Sequence, residues 1–289
     1  MTISNDWKDF EIIDASNGEK LERWGKYILL RPDPQIIWND EILKDKYDNI
    51  HAYYIRSNKG GGHWENIKNI PPSWTVNYKD MVFNIKQMGF KHTGLFPEQA
   101  ANWDFMIKKI TESKKEISVL NLFAYTGGAS VACLKAGASV VHVDSSRGMV
   151  EWAKENVKSS NLEDRPIRFL VDDVLKFVKR EIRRGHKYDA IVMDPPSYGR
   201  GANGEVWDIE KNLFELVKLC KEILADDPLF FIINCYTTGL SKESLVNMLK
   251  NVLNNLDGKI YSDEIGLPIK NSDLVLPCGI YARYEKNSN

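Results

Sequence analysis

The stretch Val119-Leu120-Asn121-Leu122-Phe123-Ala124-Tyr125-Thr126-Gly127-Gly128 decides the fold. The aliphatic and β-branched run from Ile117 to Leu122 reads as a buried parallel strand, and the small residues from Gly127 to Ala132 open a helix behind a tight turn. A strand, a tight turn and a helix in this order begin a nucleotide-binding α/β sheet. A dinucleotide fingerprint needs glycines so that the backbone can approach a pyrophosphate, yet two of the three fingerprint positions carry Phe123 and Tyr125. The turn therefore crowds out a pyrophosphate.

Downstream the chain alternates. Helices are expected at 128–136, 148–159, 174–184, 210–224 and 242–253, with strands at 139–143, 167–171, 188–193 and 229–234 and two closing strands near 259–265 and 274–284. Such alternation makes a parallel sheet with helices on both faces. The last two strands have no helix between them and are expected to pair antiparallel at one edge. The fold class is α/β: a Rossmann-like, seven-stranded, doubly wound sheet with an antiparallel edge, over residues 81–289.

Upstream, residues 1–80 read as a small antiparallel β module. Short strands are expected in Phe10-Glu11-Ile12-Ile13, Tyr27-Ile28-Leu29-Leu30, Ala52-Tyr53-Tyr54-Ile55 and Trp74-Thr75-Val76, punctuated by Pro32-Asp33-Pro34 and Gly60-Gly61-Gly62. One short helix is expected between Ile36 and Tyr47. Trp24, Trp38, Trp64 and Trp74 read as core rather than as a surface for stacking bases. After a strand at 81–85, Phe90-Lys91-His92-Thr93-Gly94-Leu95-Phe96-Pro97-Glu98-Gln99 is a polar turn leading into a helix, and His92, Thr93 and Gln99 are groups able to bind the polar end of a ligand.

Composition bounds the class. With 43% hydrophobic and 27% charged residues among 289, and no apolar run of membrane-spanning length, the chain is that of a soluble globular protein. Its first residues have neither a basic flank nor an apolar core segment, so no signal peptide is expected and a cytoplasmic location follows. Cys133, Cys220, Cys235 and Cys278 are scattered without C-x-x-C spacing, which indicates neither a disulfide framework nor a metal site. A net charge of −1 argues against coating nucleic acid through an overall field. A local basic flank, Lys176, Lys179, Arg180, Arg183, Arg184 and Lys187, reads equally as a nucleic-acid patch or a solvated helix face.

In such a sheet ligands bind beyond the carboxyl ends of the strands, and the polar residues fall there. Asp144, about twenty residues after the glycine turn, is placed to accept both hydroxyls of a ribose, with helix capping beside Ser145 and Ser146 as its plain structural role. Asp172 and Asp173 close the third strand, where a carboxylate can accept from an adenine amino group. The fourth strand ends in Asp194-Pro195-Pro196-Ser197-Tyr198-Gly199, a rigid extended turn that aims the Asp194 carboxylate and offers Tyr198 for stacking. The fifth ends in Asn234-Cys235-Tyr236, which places a thiol for covalent attack if its pKa is lowered; a small buried hydrophobe is the alternative.

These segments in order, Asn121 to Gly127, Asp144, Asp172-Asp173 and Asp194 to Gly199, resemble the class I S-adenosylmethionine-dependent methyltransferases. Within them they are most similar to the branch acting on bacterial large-subunit ribosomal RNA at cytosine-5 or guanine-7. The segment from Phe90 to Gln99 and Leu276-Pro277-Cys278-Gly279 resemble the same branch, so the likeness runs from about Trp74 to Tyr284. The cofactor it implies carries no phosphate, which suits the crowded turn.

The resemblance implies a cofactor site of Thr93, Gln99, Asn121, Phe123, Tyr125, Gly127, Asp144, Ser145, Asp172, Asp173 and Asp194. Pro195, Pro196 and Tyr198 would lie at the target base of an RNA, with Cys235 and Asp194 as catalytic residues. Cytosine-5 enzymes of the branch hold their nucleophile between serines, whereas Cys235 lies between Asn234 and Tyr236, so a covalent role and a pocket-shaping role both stand as expectations. A small-molecule or protein methyltransferase on the same fold, and a silent cofactor-binding module, are the alternatives; Asp194-Pro195-Pro196 speaks against the last.

Overall fold

The computed structural model describes residues 1–39, 48–201 and 203–287. They form two compact units: a larger one of residues 102–264 and 279–289 with Met1, and a smaller one of residues 2–101 and 265–278.

The smaller unit contains β1 (Thr2–Ile3), β2 (Phe10–Ser16), β3 (Glu19–Trp24), β4 (Tyr27–Pro32), β5 (Ala52–Arg56), β6 (Gly62–Asn66), β7 (Trp74–Tyr78) and β8 (Met81–Ile85). Strands β2 to β6 form a five-stranded sheet in sequence order, and β7 pairs with β8 in a hairpin. The pairing is antiparallel except between β4 and β5, which run parallel, a departure from the all-antiparallel expectation. The long connection from Pro32 to Ala52 makes this possible, since parallel neighbours need a crossover rather than a turn. The helix expected between Ile36 and Tyr47 falls, over 40–47, outside the described residues. Of the four indoles read as core, Trp24 is fully buried, whereas Trp38, Trp64 and Trp74 are half-buried and donate to the carbonyls of Ala15, Met88 and Trp24.

The sequence places a boundary at residue 80. The smaller unit runs on to Ala101 and takes back residues 265–278, because β1 pairs in parallel with Ile265-Gly266 and Ile12 bridges to Ile269. Such long-range pairing leaves no local mark in the sequence.

A 3-10 turn (Pro97–Gln99) leads into α1 (Ala100–Glu112). The larger unit then alternates through β9 (Ser118–Leu122), α2 (Gly128–Lys135), β10 (Ser139–Asp144), α3 (Arg147–Ser159), β11 (Ile167–Val171), α4 (Val174–Arg184) and β12 (Ala190–Met193). It continues with a small hairpin of β13 (Tyr198–Arg200) and β14 (Val206–Asp208), then α5 (Ile209–Glu222), β15 (Phe230–Cys235), α6 (Lys242–Val252), β16 (Gly258–Pro268) and β17 (Val275–Lys286). The strand order is β16-β17-β15-β12-β9-β10-β11, with β9 to β12 and β15 parallel and β17 antiparallel to β15. This is the expected Rossmann-like sheet with its antiparallel edge; β1 adds an eighth, two-residue strand beside β16.

Burial on both faces explains the aliphatic strands. Leu120, Leu122, Ile191, Met193, Phe231 and Ile233 pack with apolar residues of α4, α5 and α6. Side chains alternate along a strand, so Asn121 lies on the opposite face, where it meets Ser130 of α2. Ser146, Asp173, Asp208 and Ser241 cap α3, α4, α5 and α6 by accepting backbone N–H groups, and Gly185 ends α4 in the left-handed conformation at φ 67°. Among the described residues no helix is long and apolar enough to cross a membrane.

Candidate active site

The strand register builds one rim. Leu122 is level with Val143 on one side and Met193 on the other, and Met193 is level with Ile233, so Phe123, Asp144, Asp194 and Asn234 all follow at the same edge of the sheet.

Three residues of the turn after β9 adopt left-handed backbone conformations: Phe123 at φ 51°, Tyr125 at 51° and Gly127 at 82°. The two aromatic residues thus take the conformation a glycine would hold at little cost, at an expense of about 1–2 kcal/mol each. Backbone bonds hold them there. Ala124 N–H donates to the Val143 carbonyl at 3.0 Å, Tyr125 N–H to Asp144 Oδ2 at 2.9 Å, and Gly127 N–H to the Ala124 carbonyl at 3.0 Å. Asn156 of α3 donates to the Thr126 carbonyl at 2.8 Å. At Gly127 a side chain is impossible without movement, since a Cβ would stand 2.9 Å from Ala153 Cβ and 3.3 Å from His142 Cε1.

A buried polar seam supports the turn. Asn121 Nδ2 donates to Ser130 Oγ at 2.9 Å, and Ser130 Oγ lies 2.9 Å from His142 Nδ1. His142 is fully buried and its Nε2 has no hydrogen-bond partner; burial lowers its pKa to about 3, so the ring is neutral at ordinary pH. Ser130, His142 and Asn156 were not legible as a group in the sequence, because they sit on three separate elements.

Asp144 holds the centre of the rim. Besides Tyr125 N–H it accepts Ser146 N–H on Oδ1 at 2.8 Å, while its carbonyl accepts Asp172 N–H at 3.0 Å. The helix cap is Ser146, not Asp144. Burial raises the Asp144 carboxyl above the usual range, against the opposing pull of its two backbone donors. Ser145 is exposed beside it. Asp173 accepts Lys176 N–H at 2.9 Å as the cap of α4, and Asp172 is paired with Arg180. Both neighbouring acids thus have structural duties, and both stay half-buried at the rim.

The turn after β12 is anchored from three sides. Asp194 N–H donates to the Leu122 carbonyl at 3.3 Å, Ser197 Oγ lies 2.6 Å from Thr237 Oγ1, and Trp207 Nε1 donates to the Pro196 carbonyl at 2.7 Å. Pro195 is buried and Pro196 exposed. The β13–β14 hairpin, which the sequence reading did not foresee, carries Tyr198 outward at 54% exposure, with Arg200 Nε donating to its hydroxyl at 3.3 Å. The Trp207 ring packs on Phe123 with centroids 4.8 Å apart.

Cys235 is deeply buried. A nucleophile needs access and a lowered pKa. This thiol is 1% exposed in the core cluster with Ile233, Leu245 and Val246, and burial, reinforced by the charge of Asp194, raises its pKa despite hydrogen bonds from Thr237. The structural role of a small hydrophobe describes it better. Asn234, on the other face, donates to the Met193 carbonyl at 3.4 Å and accepts from Asn102 at 2.9 Å.

Thr93 and Gln99 belong to the smaller unit. Thr93 is fully buried with a hydroxyl lacking any hydrogen-bond partner, and Gln99 is 8% exposed in the 3-10 turn. Burial beside Arg31, Lys91 and Lys20 lowers the His92 pKa to about 4. The basic flank of α4 is largely neutralised in place: Lys176 pairs with Glu205, Lys179 with Glu215, Arg180 with Asp172 and Arg184 with Glu181. The solvated-face reading is the one these pairs favour.

The rim fits a nucleoside-bearing cofactor by two observations: a glycine cradle that no Cβ could enter, and a carboxylate held at the strand end by backbone N–H donors. Comparison with known proteins agrees. Residues 61–239 match a family model described as S-adenosylmethionine-dependent methyltransferase. A solved structure of a SAM-dependent methyltransferase from Agrobacterium tumefaciens is 33% identical with a TM-score of 0.92, covering 97% of this chain and 91% of that one. Ribosomal RNA large subunit methyltransferase K/L of Syntrophotalea carbinolica is 32% identical over 58% of this chain, and that of Shewanella frigidimarina 34% over 55%. The chain spans only 23% and 22% of the length of those two relatives. With a family model over more than half its length and a full-length structural relative, the chain belongs to the S-adenosylmethionine-dependent methyltransferases.

Proposed function

We propose that the chain transfers a methyl group from S-adenosylmethionine to a base of structured RNA, with large-subunit ribosomal RNA as the substrate, and that the acceptor is a base nitrogen. The single observation behind the choice of atom is the burial of Cys235, which leaves no accessible thiol of lowered pKa at the end of β15. The RNA assignment rests on the K/L relatives, whose names state that substrate.

When bound, the cofactor supplies a methyl carbon activated by a sulfonium. The chain's task is then alignment and exclusion of water. In this reading Asp144 accepts the ribose hydroxyls through lone pairs not used by Tyr125 and Ser146. The turn from Phe123 to Gly127 wraps the amino-acid part. One of Asp172 and Asp173, with Ser145, borders the adenine. Asp194 and the carbonyls of Pro195 and Pro196 orient the acceptor nitrogen by accepting its hydrogens, and Tyr198 stacks on the base.

Mass spectrometry of ribosomal RNA nucleosides, with and without the chain, tests this. A single nitrogen-methylated base that disappears with the chain supports it. A lost 5-methylcytosine would overturn the nitrogen assignment, and unchanged RNA with methylation of a protein or small molecule would overturn the substrate.

A further inference from the structure

The indole of Trp207 touches two parts of the rim at once. Its Nε1 donates to the Pro196 carbonyl at 2.7 Å, and its ring lies 4.8 Å from that of Phe123 at an angle of 57°. Pro196 belongs to the turn that follows Asp194; Phe123 is the strained residue that opens the turn after β9.

We infer that Trp207 is a positioning residue that sets the Asp194-Pro195-Pro196 turn at a fixed distance from the cofactor turn, so that acceptor and methyl donor meet in line. This rests on the function proposed above for its kinetic part alone. Trp207 sits on β14, and its hairpin is independently held: Lys176 of α4 pairs with Glu205, whose carboxylate also accepts Asn203 N–H at 3.0 Å, and Gly201 N–H donates to the Glu205 carbonyl at 2.8 Å. Ile209 N–H donates to the Ser197 carbonyl at 3.0 Å and closes the hairpin at its base. The indole is 8% exposed, so its one polar atom is committed to Pro196 rather than to water. A bare packing role would be filled by any large apolar side chain; the hydrogen bond to a proline carbonyl beside the acceptor-binding acid would not be needed.

The Trp207 contact also makes the hairpin sensitive to the cofactor turn. Phe123 holds a left-handed backbone with its ring against the indole, so any adjustment of that turn on ligand binding is felt at Trp207.

Two measurements test the assignment. Trp207→Phe keeps a ring against Phe123 and removes the bond to Pro196, whereas Trp207→Leu removes both. With in vitro transcribed large-subunit ribosomal RNA, Trp207→Phe is expected to lower kcat by about ten- to a hundredfold. KM for RNA, affinity for S-adenosylhomocysteine and Tm should stay near those of the unaltered chain, while Trp207→Leu should also weaken the nucleoside ligand. Unchanged kcat in Trp207→Phe, or losses of kcat, affinity and Tm in parallel, overturns the positioning role. Separately, with 5-fluorotryptophan incorporated, the 19F resonance that Trp207→Phe removes is expected to shift on titration with S-adenosylhomocysteine. A resonance that stays still while others move overturns the contact's role, whatever RNA the protein acts on. If the unaltered chain methylates no such RNA while the resonance shifts, the substrate proposal fails and the coupling stands.

Discussion

The backbone amide of Tyr125 donates to the carboxylate of Asp144 at 2.9 Å, tying a left-handed aromatic residue to an acid nineteen positions further along the chain. The same carboxylate is the proposed ribose ligand, so removing it loosens the turn as well as the ligand. Asp144→Ala is expected to weaken S-adenosylmethionine by about 1.5–3 kcal/mol, measured by calorimetry. An affinity unchanged by the substitution would return Asp144 to a purely structural role.

The raised Asp144 pKa makes this affinity fall with acidification earlier than an ordinary aspartate would. Protonation removes the charge that accepts ribose hydroxyls, so binding is strong above the folded-state pKa and lost below it. Calorimetry across a pH series should show the decline, and Asp144→Asn should flatten it.

Gly127→Ala tests whether the cradle is steric or only conformational. Gly127 combines φ 82° with a Cβ position 2.9 Å from Ala153, whereas Gly185 has φ 67° and open space around it. Gly185→Ala is expected to cost about 1 kcal/mol from strain alone, and Gly127→Ala about 2–4 kcal/mol with loss of cofactor binding. Chemical denaturation of both variants measures the difference; equal costs would mean that the packing against α3 yields easily.

Acid stability should reflect His142. Its folded-state pKa of about 3 lies below the usual 6.5, so the unfolded chain binds the proton first and stability falls as pH drops from about 6.5 toward 3. The slope from one such group is at most about 1.4 kcal/mol per pH unit. His92, lowered to about 4, adds in the same sense. His142→Phe should reduce the slope by up to one proton; an unaltered slope in urea titrations would show that the ring is not neutral in the fold.

Cys235→Ala is expected to keep methyl transfer within about tenfold on the identified RNA, while Asp194→Ala should lose a hundredfold or more. This reverses the expectation from position alone, in which loss of the thiol abolishes transfer. Single-turnover rates decide between them.

Much of the sheet was readable because its strands are short aliphatic runs closed by strong stops. The third strand and its helix, 167–171 and 174–184, match the structure to the residue, with Asp173 capping and Gly185 ending the helix. The β13–β14 hairpin was missed because its three-residue strands, Tyr198–Arg200 and Val206–Asp208, carry too little periodicity to be seen behind two prolines. Strand β3 was missed for a different reason. Glu19-Lys20-Leu21-Glu22-Arg23-Trp24 looks like surface, yet Glu22 is buried against Arg31 through bonds of 2.6 and 2.8 Å, a pairing between strands that a charge count cannot reveal. For Cys235 a signal was present. It shares the parity of Phe231 and Ile233 along one strand, which puts it on their core face.

The return of residues 265–278 to the smaller unit has a practical consequence for anyone cutting the gene. A fragment beginning at residue 81 would retain Ile265, Gly266 and Ile269 while discarding Thr2, Ile3 and Ile12, the backbone partners they pair with. Neither unit is a contiguous stretch of chain, so no single cut liberates one intact. Isolating the smaller unit calls for a rearranged reading frame in which 265–278 is spliced directly to 2–101.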